Sequence, residues 1–259
     1  MSGHSKWSTI KHKKAINDAK KGKIFSKLST QITHAAKQGG GDPNMNPNLR
    51  LYIDKAKSEG FPIDRIEKAI AKGTGEGSDG VTYEEVTYEG FGPFGTQILV
   101  DTLTDNKNRT VADLRQIFEE IGGNMGESGS ISWNFDTKGY IVIKCGHMVK
   151  AEKYGQDDIF VKDDREEVMI KLMDIHGIED IKEIDIDGVE GLEIYTSFTD
   201  LAKVSNSVSE LGYIVVQSEI IKEPKIRKDI TDPQREKIEN AIEKIEDNDD
   251  VQSVWSDVD

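Results

Sequence analysis

Apolar residues first recur along the chain at helical spacing, and past residue 80 the pattern changes to strands alternating with helices. A helix begun at Ile10 puts His12, Ala15, Ile16 and Ala19 on one half of its wheel and Lys11, Lys13, Lys14, Lys20 and Lys21 on the other. Its apolar stripe is narrow and built of small residues, so it buries little surface. Ile24, Leu28, Ile32 and Ala35 make a fuller inward face on a second helix. Leu49, Ile53 and Ala56 mark a third, and Ile66 and Ile70, after Phe61-Pro62, a short fourth. GGGDPNMNPN (39–48) is a loop by its glycines and its Asp-Pro and Asn-Pro steps, and GTGEGSDG (73–80) reads as a linker.

Beyond that linker EEVTYEGF and TQILVDTLT are strand-like. Thr110 opens a helix with Asp113 placed for a capping-box variant, Val111, Leu114, Phe118 and Ile121 line its inner face, and Gly122-Gly123 ends it. Ile131, Trp133 and Phe135 alternate as a strand with one buried face, which assigns Trp133 to the core. From 139 to 223 the order is β (140–144), α (165–176), β (181–187), β (191–197), α (200–211), β (213–221), with Asp187-Gly188 turning the middle hairpin. That βαββαβ succession predicts a ferredoxin-like unit. A helix capped at Asp232-Pro233 then carries Ile238, Ile242 and Ile245 inward, and VQSVWSDV supplies a last strand.

The last helix and strand cannot make a domain alone, and 81–136 lacks a second helix to cover its sheet. The expectation is therefore an α+β protein with an N-terminal helical domain (1–75). Two ferredoxin-like α+β domains follow, one of them (139–222) inserted in the other (81–136 plus 224–259).

Composition adds a polarity to this outline. The chain of 259 residues has a net charge of −14. Residues 1–75 carry fifteen Lys/Arg against six Asp/Glu, a net of +9, which leaves −23 for the remainder. Within 1–37 there are nine lysines and one acid, Asp18. An acidic total thus conceals a basic arm on an acidic body, a distribution suited to a polyanion partner. No apolar run approaches the ~18–20 residues of a membrane span, and the start has neither a hydrophobic signal region nor the arginines of a transit peptide. One cysteine, Cys145, excludes an internal disulfide and a cysteine-based zinc site, and points to a reducing, cytoplasmic setting.

Candidate chemistry is sparse. Lys6, Trp7, Lys11, His12, Lys13, Lys14, Lys20, Lys21, Lys23 and Lys27 could meet phosphates through their charge and bases through their rings, where the alternative is a solubilising tail. His4, His12 and His34 match no compact metal-ligand spacing. KGTGEGSDG lacks the Lys-Ser/Thr of a phosphate loop and no strand precedes it. TDNKNRT (104–110) crowds Asn106, Lys107, Asn108 and Arg109 at a helix N-terminus; it ranks first as a polar turn, second as an anion-recognition loop. Asp101 and Asp105 are the only candidate catalytic carboxylates there, with no nucleophile nearby, and GGNMGESGSISW reads as backbone geometry. No cofactor or metal is expected, and no enzymatic activity.

GHSKWSTIKHKKAINDAKKGKIFSKL, GGGDPNMNP, AIAKGTG, YEGFGPFG, TDNKNRTVADLR and GGNMGESGSISWNF resemble successive signatures of the YebC family, which includes a mitochondrial translational activator of cytochrome oxidase. The resemblance runs end to end. It implies a helical N-terminal domain followed by two α+β domains, one nested in the other, and a non-enzymatic regulator of gene expression. Bacterial members are described as DNA-binding transcriptional regulators; other relatives act in translation on the ribosome, and relief of stalled synthesis has been tied to some. The family's basic arm maps onto Lys6, Trp7, Lys11, His12, Lys13 and Lys14, and its polar turn onto 104–110. The expected partner is nucleic acid, DNA or ribosomal RNA, with the ribosome as a further partner, no membrane, and an oligomeric state that the residues leave open. No base-reading helix is evident, and lysines meet phosphates well while discriminating bases poorly.

Overall fold

The computed structural model describes residues 21–75, 82–150 and 159–258. The helix expected from Ile10 lies outside them. The described residues form two compact units, one of 137–150 and 159–222, the other of 21–75, 82–136 and 223–258. The mixed α+β class read from the sequence is the one observed.

Three helices open the larger unit: α1 (Lys21–Gly39), α2 (Pro47–Ser58) and α3 (Ile63–Thr74). Their shared core holds Leu28, Ile32, Leu49, Ile53, Ala56, Phe61 and Ile66, with the Phe25 and Phe61 rings 5.0 Å apart. The loop expected over 39–48 forms, but over the shorter span 40–46, and Asn46 closes it. Its buried side chain accepts from Leu49 N at 3.1 Å to cap α2 and donates to the Ala35 and Gly40 carbonyls at 2.8 and 2.9 Å. Asn46→Ala removes a cap and strands two acceptors, so thermal or urea unfolding is expected to show a loss of about 2 kcal/mol. The linker reading needs correcting at its start. Gly73 lies within α3, where an added Cβ would stand 2.3 Å from the Thr33 carbonyl oxygen, so this glycine permits close approach of α1 and α3. Left-handed Gly75 ends the helix.

Strands β1 (Glu84–Phe91) and β2 (Gln97–Thr104) form an antiparallel hairpin in the register Glu84↔Thr104 to Phe91↔Gln97. Helix α4 (Lys107–Glu120) follows and leads to the two-residue strand β3 (Asn124–Met125). The helix begins three residues before the expected Thr110, because the Asn106 side chain caps it by accepting from Arg109 N; Thr110 is buried inside the first turn.

The chain next enters the smaller unit through β4 (Phe135–Val149), then β5 (Ile159–Lys162), α5 (Arg165–Met173), β6 (Ile178–Ile186), β7 (Val189–Ser197), α6 (Leu201–Glu210) and β8 (Tyr213–Pro224). β8 pairs with β4, β4 with β7 and β7 with β6, the strand order of a βαββαβ unit. The short strand β5, unforeseen, pairs with the far end of β4 from Gly146↔Lys162 to Val149↔Ile159. Positive φ at Asp187 (55°) and Gly188 (79°) gives the two-residue turn that suits strand twist. Residues 140–143 are buried without interruption, as a central strand covered on both faces requires.

Helix α7 (Asp232–Glu246), with a capping box between Thr231 and Gln234, and strand β9 (Val251–Ser256) end the chain. β9 pairs with β2, which completes the sheet order β3-β1-β2-β9 in the larger unit. Ile98 and Val100 of β2, Leu114 and Phe118 of α4, Ile245 of α7, and Val251 and Val254 of β9 share one core.

The Ile131–Phe135 strand is the clearest error of the sequence reading. Ser132–Asn134 is a 3₁₀ turn, and Trp133 is 55% exposed rather than core. The cause is long-range. Buried Glu89 on β1 accepts hydrogen bonds from the backbone N–H groups of Gly129, Ile131 and Ser132 at 2.7, 2.7 and 3.0 Å and from Ser130 Oγ at 3.3 Å. A backbone whose donors converge on one carboxylate cannot also run as a strand.

Candidate nucleic-acid interface

Of the basic residues singled out, Lys6, Trp7, Lys11, His12, Lys13, Lys14 and Lys20 lie outside the described residues. Lys21 is exposed at the first position of α1. Lys23 and Lys27, one turn apart, reach the C-terminal end of α7. Lys23 Nζ lies 3.1 Å from both the Asp247 carbonyl and its carboxylate, and Lys27 Nζ donates to the Glu246 carbonyl at 2.7 Å. Lysines at a helix C-terminus satisfy orphan carbonyls and oppose the negative end of the dipole. Burial lowers the Lys27 pKa although acids surround it. These two lysines hold α1 to α7, and that engagement competes with any phosphate contact they could make.

The polar turn is likewise occupied. Asn106 caps α4, and Lys107 pairs with Glu84. Arg109 Nη2 lies 2.8 Å from each oxygen of Asp250 and 2.9 Å from Asp105. The same Asp250 accepts from Thr110 Oγ1 at 2.7 Å and Thr104 Oγ1 at 3.1 Å. Asp250 thus ties the turn to the segment leading into β9. Asn108 is exposed.

The carboxylates weighed for catalysis are committed too. Asp101 accepts from Thr87 Oγ1 at 2.6 Å and from Trp255 Nε1 at 2.7 Å, across the β1-β2-β9 sheet. His34 is buried, with Nε2 2.8 Å from Gln38 Nε2 and 3.3 Å from Glu85. Burial pushes the Cys145 thiol up to about 11, so it stays protonated and unreactive at neutral pH. Among the described residues no group of three or more His, Cys, Asp or Glu side chains could hold a metal ion.

Sequence reasoning missed a surface around Trp133. An open cleft of about 260 Å³ is lined by Gly95, Gln97, Trp133, Ile226, Arg227 and Lys228, together with the buried Asn134 and Asp257. The Asn134 amide donates to Gln97 Oε1 and the Ile226 carbonyl, both at 2.9 Å, and its oxygen accepts from Ile226 N at 2.9 Å. The run Lys225-Ile226-Arg227-Lys228 was the available signal: three of the nineteen cations after residue 75 fall within four residues.

The fold defines the class first: a helical N-terminal region followed by two sheet-containing α+β units. The family model described as the TACO1/YebC protein N-terminal domain matches residues 5–76, and that of the TACO1/YebC second and third domain matches 83–258. A probable transcriptional regulatory protein from Dictyoglomus turgidum is 44% identical over 259 residues, covering 100% of this chain and 96% of that one. Another so named, from Enterococcus faecalis, is 44% identical over 256 residues, 99% of this chain and 98% of its own. The crystal structure of a conserved hypothetical protein from Aquifex aeolicus superposes with a TM-score of 0.75 at 34% identity, over 93% of this chain and 91% of that one. The chain belongs to the TACO1/YebC family. No helix among the described residues is long and apolar enough to cross a membrane.

Proposed function

We propose that this protein is a non-enzymatic, nucleic-acid-binding regulator of gene expression, acting on DNA as a transcriptional regulator. In this reading it meets phosphates through Lys6, Lys11, Lys13, Lys14, Lys20 and Lys21, with Trp7 and His12 among them. The observation that carries this reading is the segregation of charge: +8 within the first 37 residues against −23 after residue 75. A polyanion is repelled by the net charge of such a body and attracted to its basic arm. The name that these relatives carry, probable transcriptional regulatory protein, supports the same reading. Since Lys23 and Lys27 serve α7, the lysines from 6 to 21 carry the main contact.

Lysine without arginine in this arm favours phosphate contact over base reading. That feature supports a second reading, a translation factor that meets ribosomal RNA on the ribosome and relieves stalled synthesis. One titration tests both. Each phosphate neutralised on duplex DNA contributes about −0.9 to the slope of log affinity against log salt. Replacing Lys11, Lys13, Lys14, Lys20 and Lys21 by alanine is expected to flatten the slope by up to about 4 units on duplex DNA, and somewhat less on single strands. Equal slopes for the two proteins would overturn the arm as the contact. Tighter binding of structured ribosomal RNA than of any duplex at equal salt would favour the second reading.

A further inference from the structure

Three apolar side chains stand out from the larger unit around the cleft: Phe94 (44% exposed), Trp133 (55%) and Ile226 (62%). None is loose. The Trp133 indole donates from Nε1 to the Ser130 carbonyl at 2.9 Å, so one ring edge is pinned while much of the side chain stays in solvent. Lys225 Nζ donates to the Trp133 carbonyl at 3.0 Å and pairs with Asp136 at 3.1 Å. Lys228 Nζ donates to the Gly95 carbonyl at 3.3 Å. Phe94 has a left-handed backbone (φ 61°), a conformation a bulky residue holds only under constraint, and Lys237 Nζ stands 5.8 Å from its ring centroid. The result is a fixed aromatic platform beside a cationic run in an otherwise acidic body; Arg227 Nη2 pairs with Glu223 at 3.4 Å, so a phosphate arriving here competes with the Asp136 and Glu223 carboxylates.

We propose that this cleft is a second nucleic-acid contact, which stacks one unpaired base of a single strand on Trp133 while Lys225, Arg227 and Lys228 meet the flanking phosphates. The choice of ligand follows from the chemistry. A cleft of about 260 Å³ is below the ~300–1,000 Å³ of sites for drug-sized ligands and suits one flat group. Cations alone would serve any polyanion, but an exposed indole pinned at one edge adds a π-face. Among nucleic acids an unpaired base offers it a ring, since bases inside a duplex are already stacked on both sides. This inference takes its ligand class from the reading above and needs none of the arm's residues.

The test uses the full chain, with and without the five arm substitutions, and follows anisotropy of a labelled oligothymidylate and of a duplex of equal length. Trp133→Ala is expected to weaken single-strand binding by about 5- to 100-fold. It should change duplex binding less than twofold and leave the melting temperature in place, while Trp133→Phe keeps most of the affinity. The effect should appear in both backgrounds, so a failed arm and a failed cleft are told apart. Photocrosslinking of a bromodeoxyuridine strand to the unsubstituted protein should place the adduct within 130–136. Unchanged single-strand affinity in Trp133→Ala, or adducts confined to other segments, would overturn the proposal. So would a cleft that binds polyglutamate in a Trp133-dependent way and ignores the oligonucleotide, which would assign it to an acidic protein segment.

Discussion

Removal of residues 224–259 is expected to leave a protein whose larger unit no longer unfolds cooperatively, while 137–222 expressed alone folds. β9 covers one edge of β2 from Ile98↔Ser256 to Thr102↔Val251, and Asp257 accepts from Gln97 N at 3.0 Å. Truncation exposes that edge, which becomes a template for pairing with other chains. It also takes Ile238, Ile245, Val251 and Val254 out of cores where all are buried. At about 1.5–3 kcal/mol for each such side chain, their combined contribution rivals the ~5–15 kcal/mol that holds an ordinary domain together. Lys23 and Lys27 would lose their partners on α7 as well. The smaller unit keeps β8-β4-β7-β6 and the buried run 140–143, so its sheet and core are intact. Urea titrations by circular dichroism, with dye binding to report exposed apolar surface, measure both fragments. A 1–223 fragment with one sharp transition and no dye binding would show that the C-terminal segment is dispensable.

What the sequence disclosed, and what it hid, follows the range of the interactions concerned. Leu49, Ile53 and Ala56 were expected on the inner face of a helix, and they are the buried residues of α2, because a 3.6-residue period is a local signal. Trp133 was misplaced because Ile131, Trp133 and Phe135 alternate as strand residues do. The carboxylate that bends them into a turn belongs to Glu89, more than forty residues earlier. Arg109 reads as an anion ligand until Asp250, 141 positions away in sequence, is found against it. Lys27 is one of nine lysines in a row of similar appearance, and only its distant partner Glu246 sets it apart. Polar groups satisfied across the fold leave no local trace. The candidate arm from Lys6 to Lys20 rests on its charge pattern and on the family resemblance.

Replacement of Glu89 by alanine is expected to lower stability at neutral pH by about 3 kcal/mol, and the loss should shrink as the solution is acidified. The side chain is buried and receives three backbone N–H groups and a hydroxyl from 129–132. Its removal strands those donors, and each buried unsatisfied group costs about 1–3 kcal/mol, some of it recovered by water reaching the turn. Burial by itself pushes the Glu89 carboxyl up, but the hydrogen bonds from Ile131, Gly129 and Ser132 outweigh it and hold the group below the usual glutamate range. The folded state therefore favours the ionised form more than the unfolded chain does. The resulting stabilisation is fully present above the unfolded value, near pH 4.3, and is lost as pH falls through the lower, folded value. Urea unfolding of wild type, Glu89→Ala and Glu89→Gln at pH 7, 5, 4 and 3 reads this directly. Wild type should converge on Glu89→Gln at the acid end, because a protonated glutamate and a glutamine are similar hydrogen-bonding groups. The same substitutions should free the turn that carries Trp133, seen as a red-shifted and more quenchable indole emission. A stability gap that stays constant from pH 7 to pH 3 would mean that the charge of Glu89, as distinct from its shape, does not hold this turn.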